Sequence, residues 1–244
     1  MRRRVLAICF VALVGTYSSF AARAEDKPPD TVVPVAREAG WMKRHDSIND
    51  RAKQGDVDLI FLGDSITQGW EGAGKDVWTK YYGDRKAMNA GIGGDRTQHV
   101  LWRLENGNIA GIKPKLAVIM IGTNNSGTDT SENIAAGIKA IVAKLREKLP
   151  ATKILLLGVF PRGANPEDKN RLVNIKANEL AKAVADDKNV FYLDIGPKFL
   201  AADGTLSKEI MPDLLHLSPQ GYEIWAKSIE PAVWELLGDK PHGT

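Results

Sequence analysis

A parallel β-sheet with helices on both faces is the fold class predicted for this 244-residue sequence. Three observations point to it. Five short apolar runs are continuous rather than alternating, as strands covered on both faces are. Segments with apolar residues at helical spacing lie between those runs, the alternation that builds parallel sheets. Three of the runs lead into glycine-rich turns carrying polar side chains, and ligands of open α/β sheets bind at that edge.

The runs are 57–62, 87–92, 116–121, 153–160 and 190–195. Residues 41–54 are polar with spaced apolar positions and predict a surface helix carrying His45. A helix beginning near Asp95 carries His99. In 131–149, Ile134, Ile138, Ile141, Val142 and Leu145 recur at helical spacing, and Pro150 ends the run. In 167–187, Leu172, Ile175, Leu180 and Val184 make a weaker stripe with charge opposite. Ser218-Pro219 is a capping hydroxyl followed by proline at the first helical position, so a last helix runs from there to about residue 237.

The N-terminus predicts a leader. Arg2, Arg3 and Arg4 precede an apolar stretch of 11 residues, 5–15, too short to span a bilayer as a helix. Ala22-Arg23-Ala24 is a small-x-small cleavage pattern, so residues 1–24 read as a signal peptide and the protein as secreted or periplasmic, without a transmembrane anchor. Removing the four arginines of that segment leaves 29 basic against 30 acidic residues, a net charge of −1. The chain then lacks the excess positive charge of a nucleic-acid binder. Cys9, the only cysteine, leaves with the leader, so no disulfide is expected. Residues 25–36, with Pro28, Pro29 and Pro34, read as an extended lead-in, and 37–240 as one domain.

Gly63-Asp64-Ser65 follows the first run, and Asp213-Leu214-Leu215-His216 precedes the last helix. A hydroxyl, an imidazole and a carboxylate are the parts of a serine hydrolase, and one short segment supplies the last two. Gly91-Ile92-Gly93-Gly94-Asp95 and Gly122-Thr123-Asn124-Asn125 offer N–H donors for an oxyanion. Each has an ordinary alternative. Ser65 could cap a helix, Asp213 and His216 could form a surface bridge, the glycines could make a tight turn, and Asn124 could stabilise one. His99 is a second candidate base. Trp70, Trp78 and Trp102 read first as packing residues, with the alternative that one of them lines the pocket. The glycine spacing fails the dinucleotide pattern, which would need glycine at Arg96. Asn124-Asn125-Ser126 also fits the glycosylation pattern. No metal-ligand cluster or phosphate loop occurs, so no metal and no cofactor are expected.

Taken together the four blocks resemble the SGNH (GDSL) hydrolase superfamily. The stretches Asn89–Leu104, Gly122–Asn125, Phe160–Gly163 and Asp213–Leu217 look like the catalytic subunits of the intracellular platelet-activating-factor acetylhydrolases. The resemblance implies a three-layer α/β/α sandwich with a flavodoxin-like five-stranded parallel sheet. It implies Ser65 as nucleophile, His216 as base and Asp213 as its orienting acid. It implies an oxyanion hole of Ser65, Gly94 and Asn124, no cofactor, and a possible homodimer. The leader, against cytosolic relatives, favours an acetyl-type esterase acting on a carbohydrate. The alternatives are a platelet-activating-factor-like phospholipid as substrate, and a non-catalytic carbohydrate-binding protein.

Overall fold

A computed structural model describes residues 27–243. The expected leader and Cys9 lie outside the described residues. Five strands, β1 (Leu59–Gly63), β2 (Ala87–Gly91), β3 (Leu116–Met120), β4 (Lys153–Leu157) and β5 (Val190–Leu193), form one sheet in the order β2-β1-β3-β4-β5, all neighbours parallel. Helices α1 (Ala39–Lys53), α2 (Ser65–Gln68), α3 (Lys75–Tyr82), α4 (Thr97–Glu105), α5 (Ser131–Lys148), α6 (Lys169–Ala181) and α7 (Pro219–Leu237) complete the two outer layers.

The continuous apolar runs are explained by the two faces. Successive residues of a strand point to opposite sides of the sheet. Ile60, Leu62, Ala117, Ile119 and Leu156 pack with Leu101, Ile138 and Ile141 in one buried cluster. Phe61, Val118, Met120 and Leu155 pack with Trp70, Trp225, Ile229 and Val233 in the other. Burying each such side chain contributes roughly 1.5–3 kcal/mol. Two buried layers therefore demand strands that are apolar at every position. Strand register sets the position of the site. Gly63 pairs with both Gly91 and Met120, so β1, β2 and β3 end level and their following turns emerge side by side.

Several local expectations change. The helix stripe at 167–187 is shorter and holds only in part: Leu180 and Val184 pack against the core, but Leu172 and Ile175 are exposed, while Arg171, Asn174 and Asn178 face inward. His45 is buried rather than on a surface face, stacked on Trp41 with ring centroids 5.5 Å apart. The segment around Thr31 is a 3-10 turn whose side chain is buried, its hydroxyl donating to the Asn133 carbonyl at 2.6 Å. No helix among the described residues is long and apolar enough to cross a membrane.

Candidate active site

The turn after β1 carries Ser65 as the first residue of α2. Asp64 caps this short helix, its Oδ1 accepting from the Ile66 N–H at 2.9 Å. From α7, the Tyr222 hydroxyl donates to the Ile66 carbonyl at 2.6 Å and so ties that helix to the same turn. The turn sits very close to β2. A Cβ on Gly91 would collide with the Gln68 backbone nitrogen, so glycine is required there.

The loop before α7 brings the other two side chains across the sheet edge. Ser65 Oγ lies 2.8 Å from His216 Nε2, and His216 Nδ1 lies 2.6 Å from Asp213 Oδ2. The carboxylate fixes the tautomer with Nδ1–H donating to it, which leaves Nε2 to accept from the hydroxyl. Asp213 Oδ1 also accepts from the backbone N–H groups of Leu215 (3.0 Å) and His216 (2.7 Å). Burial would raise the Asp213 carboxyl, but the His216 ring, the two N–H groups and the His216 charge outweigh it and hold it below the usual range. The pair stays open to solvent, with side chains 45% (His216) and 56% (Asp213) exposed.

The glycine turn reaches Ser65 from the β2 side. A Cβ built on Gly93 would lie 3.8 Å from that of Ser65. Gln68 Oε1 accepts from the Gly93 N–H at 2.7 Å, a contact the sequence did not reveal. Gly94 follows with φ +75, the left-handed region that glycine enters at no steric cost. No acceptor among the described residues engages the backbone N–H of Ser65 or of Gly94. Asn124 comes from the turn after β3 and donates one amide hydrogen to the Asp95 carbonyl at 2.9 Å, leaving the second free.

Behind these donors lies a buried ion pair. Arg103 Nε donates to Asp95 Oδ2 at 2.8 Å, and both side chains are fully buried. Asp95 Oδ1 accepts from Trp41 Nε1 (2.6 Å) and from Arg37 (3.3 Å). Three more Arg103 hydrogens go to the carbonyls of Ala90 (2.9 Å) and Gly63 (3.2 Å) and to Asn108 Oδ1 (2.7 Å). Burial pushes the Asp95 carboxyl up, and Arg103, Trp41 and Arg37 pull against it.

His99 is not brought to Ser65. Its Nδ1 accepts from the Arg96 N–H at 2.9 Å, and burial, helped by Arg37, Arg96 and Arg103, lowers its pKa to about 4. Trp70 is buried in the core, and Trp102 packs on Trp41 at 5.4 Å. Trp78 packs edge-on to Phe61 at 5.1 Å and also lines a cavity of about 400 Å³ beside β2.

The profile of the GDSL-like lipase/acylhydrolase family matches residues 61–224. The chain belongs to that family. It is 39% identical over 213 residues to the platelet-activating factor acetylhydrolase IB subunit alpha1 of Bos taurus, covering 86% of this chain and 89% of that one. It is 39% identical over 202 residues to the alpha2 subunit of Gallus gallus, covering 82% and 86%. Among solved structures, a Bacteroides fragilis acylhydrolase superposes with TM-score 0.66 at 21% identity, covering 82% of this chain and all of that one. An acetylxylan esterase of Geobacillus stearothermophilus superposes with TM-score 0.58 at 20% identity, covering 75% and 94%. At those identities the structural likeness speaks to fold. The chain is a carboxylic-ester hydrolase, and the non-catalytic alternative falls away.

Two predictions follow from the buried carboxyls. Burial raises Asp64 to about 7; the Ile66 N–H and His216 act to lower it and Asp95 to raise it. Its Oδ2 has no partner among the described residues. An unfolded Asp titrates near about 4. Between those values the folded state holds a proton that the unfolded state has lost, so stability falls as pH rises through that window. Asp64→Asn does not titrate, so it should gain stability relative to the native chain between pH ~4 and ~8. Urea unfolding of both proteins at several pH values checks this, and a difference independent of pH refutes it. Asp95→Ala leaves Arg103 charged and unpaired in the interior. It should cost about 3–5 kcal/mol in the same unfolding assay; a loss under about 1 kcal/mol, the range of a surface pair, would contradict it.

Proposed function

We propose that the protein is an exported serine esterase that removes short acyl groups, acetyl first among them, from a carbohydrate. The observation that carries the chemistry is the unbroken chain from Ser65 Oγ through His216 to Asp213, with bonds of 2.8 and 2.6 Å.

In this reading Ser65 Oγ attacks the acyl carbon as His216 Nε2 takes its proton, and Asp213 stabilises the imidazolium. The carbonyl oxygen becomes an oxyanion between the N–H groups of Ser65 and Gly94 and the free amide hydrogen of Asn124. Collapse re-forms the carbonyl, breaks the bond to the alcohol oxygen and returns the proton from His216 to that oxygen. Water then attacks the acyl-enzyme by the same route and frees the acid and Ser65. Every proton is accounted for by His216, so these steps call for no further group.

Two kinds of support bear on the acyl and alcohol halves. The relatives, named an acetylhydrolase and an acetylxylan esterase, share the acetyl group. The exposure of His216 and Asp213 leaves room for a bulky alcohol such as a polysaccharide. The predicted leader favours a substrate outside the cytoplasm. A second reading, an acetylated phospholipid, is favoured by the 39% identity to the platelet-activating factor acetylhydrolase subunits.

The test is hydrolysis of p-nitrophenyl acetate, butyrate and octanoate by the chain from residue 25. Acetate should be fastest, and Ser65→Ala should abolish turnover while keeping the far-UV spectrum; equal rates in mutant and parent would remove Ser65 from the mechanism. Acetylated xylan and an sn-2 acetyl phospholipid, run in parallel, separate the two alcohol halves: faster release of acetate from the phospholipid overturns the carbohydrate reading. Asn124→Ala should lower kcat by about 10²–10³ with little change in KM, because the oxyanion forms only beyond the ground state. A change confined to KM would move Asn124 out of the oxyanion hole.

A further inference from the structure

Helix α6 buries Ala177 and Ala181 in the core, but beside them it also turns three polar side chains inward and two apolar ones outward. Leu172 and Ile175 are 51% and 47% exposed, whereas Arg171, Asn174 and Asn178 are 2%, 1% and 7% exposed. A helix packed on a core ordinarily does the reverse. The inward groups serve the loops at the C-terminal edge of the sheet. Asn178 brackets Val159, accepting from its N–H at 2.8 Å and donating to its carbonyl at 3.0 Å. Asn174 Nδ2 lies 3.4 Å from Thr123 Oγ1. Arg171 donates to three carbonyls: from Nε to Arg162 (2.7 Å), from Nη1 to Gly204 (2.6 Å) and from Nη2 to Gly163 (2.5 Å).

The turn so held reaches the candidate site in two directions. The Gly163 N–H donates to the Leu214 carbonyl at 2.9 Å. Leu214 lies between Asp213 and His216 with φ +61, a left-handed conformation that costs a residue with a side chain about 1–2 kcal/mol. Such a conformation persists only where the surroundings hold it. In the other direction, Arg162 Nη1 donates to the carbonyl and the hydroxyl of Thr123 at 3.1 and 3.3 Å. Thr123 directly precedes Asn124.

We propose that Arg171 is a positioning residue for ester hydrolysis: by holding the 162–163 turn it sets Leu214, and with it the Asp213–His216 pair, and Thr123, and with it Asn124. The proposal rests on the roles given above to His216 and Asn124. A planar guanidinium meets three separated carbonyls at once, whereas an ammonium offers its hydrogens from one point. The substitution Arg171→Lys is therefore not conservative here.

The experiment compares the parent, Arg171→Met, Arg171→Lys and, on the exposed face of the same helix, Leu172→Ala. Turnover of p-nitrophenyl acetate is divided by the number of Ser65 residues labelled by an organophosphonate, so that misfolded protein does not count. Per labelled site, kcat should fall about 10²-fold in Arg171→Met, the scale of an ångström-sized misplacement, and about tenfold in Arg171→Lys, with KM within about twofold. Leu172→Ala should match the parent. A purely structural role would lower the melting temperature and the labelled fraction but leave kcat per labelled site unchanged, and that result overturns the proposal. The downfield NMR signal of the His216 Nδ1 proton gives a readout independent of turnover. It should be broadened or lost in the folded variants, and an unchanged signal also overturns the proposal. If Arg171→Met does not fold, Arg171→Lys decides by the same two criteria. Absence of hydrolysis in the parent would overturn the esterase mechanism and with it a positioning role in hydrolysis, whereas loss of the signal in the variants would still show that Arg171 holds the Asp213–His216 pair.

Discussion

The fully buried Arg103–Asp95 pair is the constraint on which the site depends. A charge pair of this kind is no obvious gain in stability, since apolar groups of similar volume often do as well. Its value lies in what else it bonds. Arg103 holds the Gly63 carbonyl just before Asp64-Ser65 and the Ala90 carbonyl near the end of β2. Asp95 directly follows Gly94, and its own carbonyl receives the Asn124 amide. Three turns from three strands thus share one anchor of fixed shape. A leucine in place of Arg103 could fill the space but could not donate to a carbonyl, and the ends of β1 and β2 would lose partners they cannot replace from solvent.

The carboxyls around Ser65 occupy three different environments. Asp213 is half in water and bonded to a ring and two N–H groups, so it stays ionised. Asp95 is dry, with its charge met by arginines. Asp64 is dry with one oxygen unpartnered, and burial drives it toward the neutral form. A neutral Asp64 can cap α2 without placing a second negative charge beside a developing oxyanion. That division lets three acidic residues crowd a place where the proposed reaction gathers negative charge.

Much of this was legible in the sequence, for physical reasons that also mark where legibility ends. Strands buried on both faces must be apolar throughout, so all five runs stood out, and Ser218-Pro219 announced α7 through its capping chemistry. Ser65, Asn124, Asp213 and His216 stood out because the proposed chemistry needs particular side chains in short motifs, and Gly94 was singled out within its glycine block by the family resemblance. Arg103, Gln68, Tyr222 and Arg171 did not. Most of their partners are backbone groups in other elements and turns, and a backbone group leaves no mark in the letter of the residue that owns it. The stripe at 167–187 misled for the same reason: apolar spacing favoured burying Leu172 and Ile175, but loop carbonyls at the sheet edge needed donors, and the helix turned Arg171 and Asn178 toward them. Helices α2 and α3 were missed because a four-residue turn and an eight-residue helix carry little periodicity.

The two anchors differ in kind, and the difference matches what they hold. Around Gly94 and Asn124 the requirement is rigidity, because an oxyanion hole works by having its dipoles in place before charge appears. An ion pair whose guanidinium makes four hydrogen bonds meets that need. Around His216 the requirement is softer. In the proposed cycle the imidazole receives a proton from Ser65 or water and passes it to the leaving alcohol or back to Ser65, oxygens that do not occupy one point. Arg171 holds that side through neutral carbonyls and one intervening turn, with the strained Leu214 as the last link. A linkage of single hydrogen bonds yields more readily than a buried ion pair, so the base retains small adjustments while the oxyanion donors do not. Arg162 and, at longer range, Asn174 join the two systems at Thr123, so movement on the base side reaches Asn124 only through a few single hydrogen bonds.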